Sequence, residues 1–339
     1  MKLQRLPFFV SLLSVMLLTG GCAGKTVYEP QKVDAEVKGI QKLDKGIRNV
    51  VREGAVLNRT SVVTKKSGVI ENILPSGFHF INESDGNIIV GNDDGKLEII
   101  SKTSRQPVFS KDFGQPVVSA TQKGNLLALL LADNTIVLYD IRSDIERYRE
   151  SLGKVITIDA RAANPVFIND LIVFPTLDGR LLIMDSNKKI VLRDVALSDK
   201  DLFNNVIFLE VHGNILVAAT ASKVIVITPK RIYTYSADVK DILYVGHDIY
   251  VFTKGGKIIH LNEQLQKVEE KDFEYANFVA VAEMNGKLYG VERQGYLIEM
   301  DRKLGNVTVK ELDDEVEKPS IIAKDVLYIG DKAIDLKVQ

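Results

Sequence analysis

Four histidines, His79, His212, His247 and His260, one cysteine, Cys22, and aspartates grouped at apparent turns are the side chains that could bind a metal or move a proton. A zinc site draws two or more of its ligands from closely spaced His or Cys. No pair here has that spacing, and no stretch sets a histidine at a fixed offset from a carboxylate, so the histidines read as loop or surface residues. Asp93-Asp94-Gly95 and Asp178-Gly179 lack the alternating ligands and closing glutamate of a calcium loop. Asp beside Gly is what a tight turn needs. No Gly-x-Ser-x-Gly elbow is present for a serine nucleophile. The expectation is a protein with no catalytic residue, no metal ligand and no cofactor.

What recurs is a hairpin. Gly86 to Ile100 and Asn169 to Asp185 each place a short turn between two apolar, β-branched or leucine-rich runs. Aligned turns fall at Asp94-Gly95, Asp133-Asn134, Asp178-Gly179, Ser222-Lys223, Gly255-Gly256, Gln294-Gly295 and Asp331-Lys332. The steps are roughly 33 to 45 residues, the range of propeller blades. Gly, Asn and Asp tolerate the positive φ of a hairpin turn, so the period has a mechanism. An apolar run precedes each hairpin and a more polar one follows, which makes four antiparallel strands per repeat with the polar strand outermost. Such sheets bury their faces only by packing against one another in a closed ring. The fold class is therefore all-β, a β-propeller of residues 50–339. Seven hairpins predict seven blades if about Val50 to Ile73 supplies the strand that closes the last sheet, and eight if that segment makes a full set with Ile334 to Val338. Helix-like patterns are few, the best being Val33 to Leu43 and Asp144 to Ser151.

The N-terminus begins with Lys2 and Arg5, continues through an apolar run from Leu6 to Leu18, and ends in small residues before Cys22. This is the layout of an export signal, too short for an ordinary membrane span. Residues 1–21 are expected to be the signal and residues 22–49, polar with several lysines, a tether. Gly20-Gly21-Cys22 resembles the lipobox of bacterial lipoproteins, with Thr19 where that family usually has an aliphatic residue. The resemblance implies lipidation of Cys22, and Ala23 after it implies the outer membrane. With one cysteine no internal disulfide can form. The formal net charge is −1 for the whole chain, and removal of Lys2 and Arg5 takes it to about −3. That balance argues against nucleic acid as a partner.

The blade ends Leu138 to Ser143, Ile183 to Asn187 and Glu299 to Gly305 resemble the Ala-x-Asp-x-x-Thr-Gly-x-x-x-Trp repeat of the BamB family. Asp140, Asp185 and Asp301 stand in the Asp place and Gly305 in the Gly place; the Trp place is kept in no blade. Quinoprotein dehydrogenases share the layout, but the chain has no tryptophan and no vicinal cysteine pair, so a bound quinone is not expected. The BamB resemblance implies a non-enzymatic lipoprotein, lipid-anchored on the periplasmic face, that binds the barrel subunit of the outer-membrane β-barrel assembly machinery. It also implies partner contacts at Arg161, after Ile156 to Ala160, and at the acidic pair Asp199 and Asp201. The alternatives from other classes are a periplasmic enzyme or small-ligand binder using the propeller channel, and a scaffold of another envelope complex or a surface adhesin.

Overall fold

A computed structural model describes residues 26–155, 161–197 and 205–339. Cys22, Ile156 to Ala160, Asp199 and Asp201 lie outside the described residues. The rest is an all-β ring of eight blades: residues 47–70, 79–112, 117–151, 166–196, 208–236, 239–272, 278–311 and 320–335. Each of the first seven is a four-stranded antiparallel sheet in simple chain order, and the eighth has three strands of its own.

Eight is the larger of the two counts the sequence allows, and the reason lies in the first blade. Residues 47–70 form a whole blade rather than one closing strand. Its central hairpin joins Gly54–Leu57 to Ser61–Thr64 through Asn58-Arg59-Thr60, a turn without glycine. Asn58 supplies the positive φ of 54° and its side-chain oxygen accepts from the Thr60 and Ser61 amides. Ring closure falls to Ile40–Lys42, which pairs antiparallel with Lys332–Asp335 as the outermost strand of the eighth blade. Ala35–Glu36 lies parallel to Thr308–Glu311 as a fifth strand on the seventh blade. Residues 26–49, expected as part of a tether, are therefore docked in their described part. Tyr28 is already 7% exposed, and the Gln339 side chain clasps the Lys38 backbone, accepting from its amide at 2.9 Å and donating to its carbonyl at 2.7 Å.

Neither helix-like pattern folds as a helix. Val33 to Leu43 holds the two edge strands just named. A helix of that length is marginal alone, whereas two open sheet edges offer backbone partners, as in Val37 N–H to Glu311 O at 2.8 Å. Asp144 turns at φ 56° and Ile145–Ser151 becomes the outer strand of the third blade, registered on Thr135–Asp140.

The core is divided among the blade interfaces. Among the described residues eight separate buried clusters occur, one for each pair of neighbouring blades. Middle strands read as unbroken apolar runs, such as Ile88-Ile89-Val90 at 0% exposure, because both faces of a blade are covered. Outer strands carry the charge, as in Lys267–Asp272. The recurrent turn has a packing reason as well as a dihedral one. The chain leaving each outer strand crosses over the central hairpin turn, where Phe113, Leu197, Phe273 and Leu312 donate backbone N–H to the carbonyls of Gly95, Gly179, Gly256 and Gly295. Gly95 sits at φ 100°, and a Cβ there would lie 2.7 Å from the Gln115 nitrogen.

Candidate functional site

Antiparallel order puts all first-to-second strand turns at one end of the ring, called here the inner-turn face. The central hairpin turns and the blade-to-blade connections lie at the other, the crossover face. The innermost strands line a central channel, and the channel is where side chains from many blades converge.

Arg52 stands in the first-to-second strand turn of the first blade and is 8% exposed. Its guanidinium crosses to the sixth blade, donating to the Asp241 carboxylate at 2.9 Å and the Ile242 carbonyl at 3.2 Å, and it lies 4.5 Å over the Phe208 ring of the fifth blade. Asp241 also accepts from the Ile242 amide at 2.8 Å. Burial pushes the Asp241 carboxyl up, but the charges of Arg52, Lys65 and Arg161 outweigh it and hold the group below the ordinary carboxylate value. Arg161, at the entry to the fourth blade, donates to the backbone carbonyl of Lys240, the residue beside Asp241. Two arginines from different blades thus converge on the start of one inner strand.

The Arg52 side chain divides the space at the inner-turn face. One recess of about 450 Å³ is lined by turns of the first blade, including Lys66, and by inner strands of the next four with their flanking residues, including Asn82, Gln122, Phe167 and His212. A second of about 410 Å³ lies toward the sixth, seventh and eighth blades, with Lys65, Tyr244, Glu283 and Lys324. Glu210 borders both; burial pushes its carboxyl up, and the nearest ion-pair partner is His212 at 4.0 Å. His212 stacks on Tyr244 at 4.0 Å, and Glu263 accepts from the Tyr244 hydroxyl at 2.7 Å and faces His247 Nδ1 at 2.8 Å.

Each histidine does have a carboxylate partner, which sequence offsets did not reveal. Besides the two pairs above, His79 lies 3.9 Å from Asp93 and His260 Nε2 lies 2.8 Å from Asp248. His260 is not a surface residue: it is 7% exposed and stacks on Tyr250. Two of these pairs lie in the sixth blade and the others in the second and fifth, and among the described residues no three His, Cys or acidic side chains gather as a metal would require. Arg161 comes near the Asp241 region, but Asp199 and Asp201 lie outside the described residues. Arg52, Phe208, Glu210 and Asp241 were missed by sequence reasoning. The signal for Arg52 was the charged pair Arg52-Glu53 between two apolar runs, a hairpin turn without Gly or Asn.

The blade-end aspartates occupy one equivalent structural place. Asp140, Asp185 and Asp301 end third strands, and each accepts backbone N–H groups of the following turn. Asp301 takes the Lys303 and Gly305 amides at 2.8 and 2.9 Å and Asn306 Nδ2 at 2.7 Å. Asn262 and Thr228 do the same work in the sixth and fifth blades. The repeat signature is turn capping, which other propellers need equally.

The solved structures agree. BamB from Moraxella catarrhalis superimposes with a TM-score of 0.66 at 12% identity, covering 88% of this chain and 98% of that one. The chain folds like BamB. It folds equally like the C-terminal WD40 domain of Sif2, with a TM-score of 0.65 at 12% identity and coverage of 89% and 98%. At such identities the likeness speaks of fold alone. In sequence, the chain is 29% identical to the plasminogen-binding protein PgbB of Helicobacter pylori, in each of two strains, over 87% of its own length. It spans 62% of the length of those relatives. No protein-family model matches the chain.

Proposed function

We propose that the protein is a non-enzymatic, protein-binding propeller of the bacterial envelope, anchored by lipid on Cys22 at the periplasmic face of the outer membrane. The observation that carries the protein-binding reading is the relationship to a plasminogen-binding protein over 87% of the chain, a share too large to leave out most of the ring. The molecule supports it in a second way. Arg52 and Arg161 reach into the channel, so the accessible surface is that of the two ring faces and the recesses beside Arg52. The partner suggested by the blade-end and loop resemblances is the barrel subunit of the outer-membrane assembly machinery. It would dock on the crossover face, where Arg161 stands at the entry to the fourth blade.

The named relative favours a second partner, plasminogen, which would require display at the cell surface. Immobilised protein titrated separately with plasminogen and with the periplasmic part of the barrel subunit distinguishes them. Saturable binding of the barrel subunit that weakens in Asp199→Ala/Asp201→Ala supports the first reading. Saturable binding of plasminogen alone, with protease sensitivity of the protein on intact cells, replaces it with the second.

A further inference from the structure

The N-terminal strap is held at one end of the ring. Tyr28 packs edge-on against Phe273 and Tyr296, at 6.3 and 5.7 Å, in the core between the sixth and seventh blades. Phe273 belongs to the connection between those blades and Tyr296 begins a third strand, so Tyr28 is held at the crossover face. Around it lie exposed Val27 and Tyr275, at 42% and 45% exposure, with Lys254 and Arg293 on the adjoining hairpin turns. Only six residue steps separate Cys22 from Tyr28. Fully extended, they reach at most about 20 Å.

We infer that the crossover face at the sixth and seventh blades lies against the lipid headgroups, with Val27 and Tyr275 nearest to them and the inner-turn face pointing away. This rests on the proposed lipidation of Cys22. The occupant of the patch is the bilayer that holds the chain, because a strap of that reach cannot turn the far face toward it. Inner strands of seven residues, Val239–Val245 and Phe278–Met284, separate the two faces; at the usual rise that is about 20 Å before the turns are added. Tyrosine suits a headgroup layer, with an apolar ring and a polar tip. Charge contributes little, since Asp238 pairs with Lys254 at 3.0 Å and Glu274 neighbours Tyr275. The strap sets the orientation.

The absence of tryptophan makes the test direct. Full-length lipidated Tyr275→Trp and His247→Trp proteins, reconstituted in phospholipid vesicles with a dansyl headgroup lipid, each carry one donor; His247 lies in an inner turn of the sixth blade with a side chain 86% exposed. Tyr275→Trp should lose most of its donor emission to dansyl and His247→Trp little. Inserting a flexible segment of about twelve Gly and Ser residues between Lys25 and Thr26 should erase the difference, because the longer strap no longer selects a face. Equal transfer from the two reporters with the native strap, or stronger transfer from His247→Trp, overturns the orientation while leaving the anchor intact. Failure of the protein to float with the vesicles overturns the anchor, and the orientation with it.

Discussion

Arg52 and Asp241, 189 residues apart in the chain, meet at 2.9 Å and tie the first blade to the sixth across the channel. Arg52→Met leaves Asp241, whose side chain is 21% exposed, without its main partner, and breaking such a half-buried pair should cost about 1 to 3 kcal/mol. The thermal midpoint should fall clearly, and Arg52→Met/Asp241→Leu should recover much of the loss. The pH dependence has a definite sign. A carboxyl held below its unfolded value contributes stability above that value and loses it as pH falls through the lowered folded one. In Arg52→Met the group moves up, so acid unfolding should begin at higher pH. Unchanged acid and thermal midpoints would remove the strut from this account.

The strap should be a stability element in its own right. Tyr28 is 7% exposed and sits in the sixth-to-seventh blade core, where burial pushes its hydroxyl up to about 12. Truncation of a buried aromatic to alanine costs about 3 kcal/mol. Tyr28→Ala should lower the unfolding midpoint and speed amide exchange at Val37, whose N–H is bonded to Glu311 O. Tyr28→Phe should do neither.

If the blade-end aspartates cap turns, their loss should weaken the fold and spare binding. Asp301→Ala deletes three hydrogen bonds at an exposed turn and should lower the unfolding midpoint slightly. Partner affinity measured on the folded fraction should not change. A selective loss of affinity would make this residue part of the interface.

His247 is held above its ordinary imidazole value by its hydrogen bond to Glu263. In an NMR titration it should titrate later than a free histidine, and Glu263→Gln should return it toward the ordinary value. The pair's contribution is present below the unfolded imidazole value and disappears as pH rises through the folded one. A titration unchanged in Glu263→Gln would mean that the pair does not form.

The legible parts of the fold were those with a local chemical cause. Asp94-Gly95, Asp178-Gly179 and Gly255-Gly256 announce hairpins because positive φ and the crossing chain demand small or Asx residues there. Asn58-Arg59-Thr60 and Arg52-Glu53 do not, so the first blade was hidden until its apolar strands were seen paired. The edge strands Ala35–Glu36 and Ile40–Lys42 were less legible still, since their partners lie more than 270 residues away and nothing local marks an extended segment. The same holds for the site. His260 and Asp248 become partners through strand pairing, and Arg52, Phe208 and Asp241 only through closure of the ring.

The central claim is that this ring holds a protein partner in the envelope. The most direct measurement is affinity purification of the native protein from detergent-solubilised cell envelopes under conditions that keep the propeller folded, with quantitative identification of what co-elutes. The account predicts stoichiometric recovery of the barrel-assembly subunit, diminished in Asp199→Ala/Asp201→Ala and retained in Asp301→Ala. Recovery of the folded propeller without any protein partner would contradict it.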